Sequence, residues 1–432
     1  MDAPRAIAER IADALDPFRR AHFTDGNRVQ LLASTPDYFT RLLAAIAAAH
    51  HSICVETYIL ADDATGNAVV AALAAAARRG VDVRLLVDGF GSGDFARRLA
   101  LRLPQSGARL RIYRPERWWR PQRRLFRRLH RKIVTIDDTL AFVGGINVDD
   151  SPLRDERTGE PIGPRLDFAV QCEGPIVAAI VFAQRRLWWA VGAGHPQQPP
   201  ERNPQERPAG IPQERPEGNP EETPEPPPRR IAAGAPLPGG VPAALVLRDN
   251  LRHRHAIERS YLGAIRAARR HVLLACAYFQ PGRRFRRALV AAANRGVRVT
   301  LLLQGRVEYR LQHFAQRALY GQLLAAGIEI HEYRSSYLHA KVAVADSSWA
   351  TVGSSNIDPL SLLLAREANV VVRDRAFSAE LRACIEAAIR DGARPLRAAD
   401  FARRSPLARA IDWAAYGLMR ALTLLVARRD AG

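Results

Sequence analysis

Lysine is almost missing from this chain, which has two lysines against 62 arginines in 432 residues. Where a positive charge alone suffices the chain uses the arginine fork, so the two lysines are expected where only a compact ammonium fits. Cysteine is sparse as well. Cys54, Cys172, Cys276 and Cys384 show no CxxC spacing and sit in apolar-patterned segments. That pattern argues against a disulfide framework and predicts buried free thiols in a reducing compartment. Metal-ligand spacings are lacking too: His253 and His255 form a lone HxH, read as a surface feature, and no metal or cofactor is implied. Residues 1–24 are charged and helix-forming, without the apolar core of about 7–15 residues that a secretory signal needs, so a cytoplasmic protein is expected.

What the chain does have is repeated. Each lysine follows a histidine by two residues and precedes an aspartate by five: His130, Lys132, Asp137 and His339, Lys341, Asp346. Gly144, Gly145 and Asn147 follow the first triplet, and Gly353, Ser354 and Asn356 follow the second, every member displaced by 209 residues. A separate stretch, AARRGVDVRLLVDG at 76–89, matches AANRGVRVTLLLQG at 292–305 at 9 of 14 positions. A whole domain is therefore duplicated, not only a motif. Each half reads strand, Ala-rich helix, strand, the alternation of a layered α/β domain. Period-2 alternation in LHRKIVTID puts His130 and Lys132 on one face of an expected strand.

The paired HxK motif, with its aspartate, small residues and asparagine, resembles the phospholipase D superfamily. ETYILADDATG, LHRKIVTIDDTLAFVGGIN, AYFQPG and LHAKVAVADSSWATVGSSNIDPLSL are similar to bacterial cardiolipin synthases, especially the forms without N-terminal membrane helices. The resemblance runs from about Asp25 to about Arg390, apart from one linker. It implies two tandem α/β/α sandwich domains related by a pseudo-twofold axis, with the active site in a shared cleft and neither half active alone.

Exchanging one alcohol for another on a phosphodiester requires a nucleophile, a proton donor for the leaving alkoxide, and donors for the non-bridging oxygens. One histidine would form a phosphohistidine while the other acts as acid and then base. His130 is the expected nucleophile and His339 the acid/base, with the reverse left open by the pseudo-symmetry. Lys132, Lys341, Asn147 and Asn356 would hold the phosphoryl oxygens. Asp167 and Glu367 are the expected orienting carboxylates, where the superfamily pattern places them. Asp137 and Asp346, though part of the catalytic motif, are expected to buttress turns. One departure stands out: Ala365 occupies the position two before Glu367, where the resembling synthases commonly carry Asn.

The net charge of +20 suits an anionic membrane surface or nucleic acid. Arg114, Arg117, Arg120, Arg123, Arg124, Arg127, Arg128 and Arg131, interleaved with Trp118, Trp119, Leu125 and Phe126, crowd the approach to His130 and favour a lipid interface. The expected organisation is an N-terminal helical segment (1–24), a first domain (25–192), a Pro-rich disordered linker (193–242), a second domain (243–398) and a basic amphipathic C-terminal helix (399–432). The linker holds 15 of the 29 prolines. After Pro406 the apolar run is interrupted by Arg409, Asp412 and Arg420. It is read first as a helix lying in the plane of a membrane, with packing on the core or a true span as alternatives.

Three functions fit these residues: phosphatidyl transfer between two phosphatidylglycerols to give cardiolipin, phospholipase D hydrolysis or headgroup exchange, and nucleic-acid processing. The first is favoured, with phospholipid substrates and a peripheral position on the cytoplasmic face of the cell membrane. Nucleic acid is disfavoured by the Trp/Arg approach loop and the apolar C-terminal stretch.

Overall fold

The structure is a computed structural model that describes residues 21–114, 128–150, 159, 162–193, 228–249, 253–358 and 365–429. The approach loop from Arg117 to Arg127 and most of the Pro-rich linker lie outside the described residues. The first half contributes β1 (Thr24–Leu32), β2 (Ser52–Thr57), β3 (Asp82–Asp88), β4 (Arg109–Tyr113), β5 (Arg128–Leu129), β6 (Lys132–Ile136), β7 (Leu140–Gly144) and β8 (Ala169–Glu173). The second contributes β9 (Val241–Arg248), β10 (His271–Cys276), β11 (Arg298–Gln304), β12 (Glu329–Tyr333), β13 (Lys341–Ala345), β14 (Trp349–Gly353), β15 (Ala365–Val372) and β16 (Ala393–Pro395).

These strands form one sheet in the order β16-β12-β11-β10-β13-β14-β15-β9-β1-β8-β7-β6-β2-β3-β4, with β5 pairing β15. Read outward from the β9–β1 junction, the two arms repeat one another: β15 matches β8, β14 matches β7, β13 matches β6, β10 matches β2, β11 matches β3 and β12 matches β4. The duplicated sequence has thus become a duplicated arm about a pseudo-twofold axis. The pairings β10–β11–β12 and β2–β3–β4 are parallel and joined through helices, the HxK strand of each arm is antiparallel to its neighbours, and β16 adds an antiparallel edge to β12 in the second arm alone.

Local chemistry sets the helix starts. Ser34 caps Thr35–Ala48 by accepting from the Asp37 N–H at 3.3 Å, and Asp63 caps Ala64–Arg78 by accepting from the Gly66 N–H at 2.8 Å. The helices cover both faces of the sheet. Ile176–Ala193 and Arg375–Gly392 bury Val177, Ile180, Leu381 and Ile385 in one core that also takes Ile133 and Val143 from the first half and Val342 and Val352 from the second. A core shared in this way ties the halves together, since each fully buried aliphatic side chain contributes roughly 1.5–3 kcal/mol.

Several expectations change in detail. The strand β9 begins at Val241, inside the segment assigned to the linker, and the N–H of Leu237 donates to Gly26 O at 2.8 Å. Backbone hydrogen bonding therefore recruits the end of that segment into the first half. His130 and His339 lie just ahead of their strands, which begin at the lysines. Cys172 and Cys276 are buried, but Cys54 and Cys384 only partly so. His253 is buried against Asp249, its Nδ1 at 2.9 Å from Oδ2, so the HxH is not a surface pair. Arg131 is buried on Glu56 at 2.8 Å, which withdraws it from the basic approach.

The C-terminal helix Pro406–Arg429 packs Asp412, Ala415, Met419 and Thr423 inward, with Ala315 of the helix Arg310–Arg317 beneath it. Leu407, Ile411, Leu418 and Leu422 form an exposed stripe at helical spacing. Among the described residues no helix is long and apolar enough to cross a membrane.

Candidate active site

Each of the paired histidines belongs to one half and is held by the other. The N–H of His130 donates to Arg366 O at 3.0 Å, and its Nδ1 lies 3.0 Å from Glu367 Oε2 and 3.2 Å from Ser354 O. In the other half, the N–H of His339 donates to Leu166 O at 2.9 Å and its Nδ1 lies 2.6 Å from Asp167 Oδ2. Nδ1 engaged by a carboxylate carries the ring proton, leaving the lone pair on Nε2.

The difference between the GG and GS motifs follows from these carboxylates. At Gly145 a Cβ would sit 2.7 Å from Asp167 Oδ2 and closer still to Oδ1, so the shorter acid needs a glycine there. At the equivalent position Ser354 donates its hydroxyl to Glu367 Oε2 at 2.5 Å. Gly144 and Gly353 are equally enforced, since a Cβ at either would meet Ala169 or Asn369 across the sheet.

Lys132 and Lys341 are buried, and each ammonium donates back to the carbonyl of its own histidine, His130 or His339. Nζ of Lys132 lies 5.3 Å from the centre of the Tyr58 ring, which also sits 4.9 Å from that of His130. Burial, followed by the Lys341 charge, pushes Lys132 down to about 7. Burial also lowers Lys341, against the pull of Asp167, whose Oδ2 is 3.9 Å away. The Lys341 charge is felt at Lys132 because both ammonium groups are held out of water, where like charges repel strongly. The amides of Asn147 and Asn356 are buried nearby, each with Oδ1 lacking a hydrogen-bond partner.

Asp137 and Asp346 do not reach this cluster. They directly follow their five-residue strands, about 16 Å from the lysines at strand rise. Both adopt left-handed backbone, φ 50° and 51°, and each carboxylate accepts three backbone N–H groups, of His50, His51 and Ser52 or of Arg269, Arg270 and His271. Although burial pushes both carboxyls up, these donors prevail and hold them below the usual range.

The family described as "Cardiolipin synthase, PLD-like domain" matches residues 42–158 and 261–389, more than half of the chain, with one HxK triplet in each stretch. This chain belongs to that family. Cardiolipin synthase B of Escherichia coli (strain K12) is 39% identical over 375 residues, covering 84% of this chain and 80% of that protein. Cardiolipin synthase B of Salmonella typhi is 38% identical over 370 residues, covering 83% and 79%. Among solved structures, phosphatidylserine synthase of Haemophilus influenzae Rd KW20 shares the fold, with a TM-score of 0.66 at 13% identity, covering 96% of this chain and 98% of that one.

This member of the cardiolipin synthase family also uses residues that the sequence reading missed. Arg248 is fully buried, 3.7 Å from Glu367 Oε1, and donates to Ala365 O at 3.3 Å. Burial pushes Glu367 up, but His130, Arg248 and Lys132 outweigh it and hold the carboxyl below its ordinary range. Among the described residues no arginine pairs with Asp167, and burial raises it to about 6 despite Lys341. Beside His339, Glu308 accepts from Arg165 of the first half and from the Tyr278 hydroxyl, both at 2.7 Å. Asp149 and Asp358 continue the 209-residue register, so the repeat itself was a signal for them. Arg248, one arginine among 62 and without a counterpart in the repeat, carried none.

Proposed function

We propose that this chain is a phosphatidyltransferase that converts two phosphatidylglycerol molecules into cardiolipin and glycerol through a phosphohistidine. The observation that carries the reading is the reciprocal arrangement of His130–Glu367 and His339–Asp167, each with a buried lysine bonded to its histidine's carbonyl, inside a cardiolipin synthase family member.

Electrostatics distinguish the two rings. Burial, then Lys341 and Lys132, drive His339 well below its ordinary value, so it is neutral at pH 7 with a free Nε2 lone pair. Burial lowers His130 as well, but Glu367 opposes it, which favours an imidazolium there once an anionic phosphodiester is bound. The reading therefore assigns attack to His339 and proton transfer to His130, the reverse of the order expected from the sequence. Nε2 of His339 bonds to phosphorus, the bond to the glycerol oxygen breaks, and His130 protonates that oxygen. A hydroxyl of the second phosphatidylglycerol then gives its proton to His130, its oxygen attacks phosphorus, and the P–N bond breaks.

Lys132, Lys341, Asn147 and Asn356 would hold the non-bridging oxygens, each such contact worth a few kcal/mol in a partly dry site. Water at about 55 M competes for the phosphohistidine, so transfer depends on the alcohol being positioned. The enzyme would work at the cytoplasmic face of the membrane, with the exposed stripe of the C-terminal helix lying in the plane of the interface.

The test is incubation of the purified protein with phosphatidylglycerol vesicles and mass spectrometry of the lipids, with His130→Ala alongside. Cardiolipin and glycerol, absent with the variant, are expected. Phosphatidic acid alone would make the protein a hydrolase, and no lipid product would point to other phosphodiesters, nucleic acid included.

A further inference from the structure

A groove of about 620 Å³ lies beside the C-terminal helix, and the proposed reaction does not use it. The helices Arg283–Asn294, Arg310–Arg317, Tyr320–Ala325, Ala398–Ala402 and Pro406–Arg429 all contribute to its walls. Five guanidinium groups line it, those of Arg283, Arg286, Arg317, Arg409 and Arg420, against one carboxylate, Asp412. That carboxylate is already engaged by Arg404, and Arg317 by Glu332 at 2.7 Å. Arg286 donates to Pro281 O at 2.8 Å and Arg409 to Ala402 O and Arg404 O at 3.0 Å, so of the five only Arg283 and Arg420 have neither a carboxylate nor a carbonyl partner among the described residues.

Gathering like charges with unused donors is unfavourable unless an anion joins them. The floor between them is apolar, with Leu319 and Leu324, and Trp413 stands at the rim with 57% of its surface exposed. Free phosphate would satisfy the guanidinium groups but leave this floor bare. A molecule with an anionic head and apolar tails matches both parts. The stripe of Leu407, Ile411, Leu418 and Leu422 lies on the opposite flank of the same helix and takes no part in the groove, so the tails would rest on the apolar floor and against Trp413.

We propose that this groove is a docking site for the phosphate headgroup of an anionic membrane phospholipid, separate from the catalytic cleft, that seats the enzyme on the bilayer. The proposal rests on the phospholipid reading above but not on the transfer step.

The test is co-sedimentation of the full chain with vesicles of phosphatidylglycerol in phosphatidylcholine, and with phosphatidylcholine alone. Arg283→Glu combined with Arg420→Glu should weaken binding to the anionic vesicles by at least about tenfold, as expected from losing two arginines at an anionic surface and reversing their charge. The neutral variant Arg283→Ala/Arg420→Ala should show a smaller loss. Both should keep wild-type turnover of phosphatidylglycerol delivered in detergent micelles, and inorganic phosphate should not displace the protein from vesicles. Wild-type binding by the double variants, equal losses on phosphatidylcholine alone, or full displacement by phosphate would each overturn the proposal. Vesicle binding is read without turnover, and His130→Ala should bind as wild type. A protein that makes no cardiolipin yet shows the arginine-dependent split would therefore fail the transfer reading and keep the docking site.

Discussion

The imidazole of His130 and the carboxylate of Glu367 meet at 3.0 Å although 237 residues separate them in the chain. His339 and Asp167 repeat the contact across 172 residues in the opposite direction. Neither half therefore owns a complete histidine. Each half expressed alone should be inactive, and Glu367→Gln or Asp167→Asn in the full chain should lower kcat by about 10²–10⁴-fold, as expected for a lost orienting carboxylate. Turnover together with circular dichroism checks this, since an inactive but folded variant separates orientation from stability.

Lys132→Arg keeps the charge but brings a larger, planar group into a buried pocket against Tyr58. Strain of about 1–3 kcal/mol is expected, and kcat should fall by roughly 10² or more because the fork cannot place a single donor where the ammonium sits. Near-normal kcat would remove the reason for keeping lysine here.

The pH dependence follows from three groups, Asp167, Lys132 and the proton donor His130. Asp167, raised by burial to about 6, must be ionised to hold the Nδ1 proton of His339, so activity is lost as pH falls through that value. Lys132, lowered by burial to about 7, must be protonated to hold the phosphoryl oxygens, so activity is lost as pH rises through that value. In kcat/KM, which reports the free enzyme, a narrow bell is expected, its alkaline side set first by loss of the His130 proton, which burial makes easier, and then by Lys132. In kcat the alkaline flank should move up, because the bound phosphodiester anion stabilises the ammonium.

The assignment of the nucleophile is decided by trapping under alkaline denaturing conditions, in which the acid-labile P–N bond survives, followed by peptide mapping. Rapid quenching with labelled phosphatidylglycerol should place the phosphatidyl group on the peptide containing His339. Label on the His130 peptide would mean that bound substrate reverses the order of the two rings.

Gly145→Ala tests the short carboxylate directly. The added methyl would displace Asp167, so kcat should fall as far as in Asp167→Asn, whereas Ser354→Ala should cost less, about 1–3 kcal/mol for one lost bond to a charged acceptor.

Much of this was legible from residues alone. The HxK triplets, Asn147 and Asn356 announced themselves through the 209-residue register, and Asp167 and Glu367 through the family resemblance. The duplicated strand and helix pattern became the two arms of the sheet. Boundaries were less legible: β9 takes in Val241 because a strand is completed by its neighbour's hydrogen bonds, which composition does not record. The alternation in LHRKIVTID suggested one strand, yet His130 sits where the chain leaves β15 and joins β2 and β7.

The sequence by itself determined that there are two copies of one site and which residue types each carries, because spacing along a chain dictates which side chains share a strand or turn. Only the tertiary structure decided that each histidine takes its carboxylate from the other copy, that Arg248 helps hold Glu367 ionised while Asp167 stays raised by burial despite Lys341, and that five arginines surround one groove. Those facts depend on how distant segments meet at the β9–β1 junction and in the shared core. Burial and Coulomb interaction act across space, so the two chemically alike halves acquire different electrostatics.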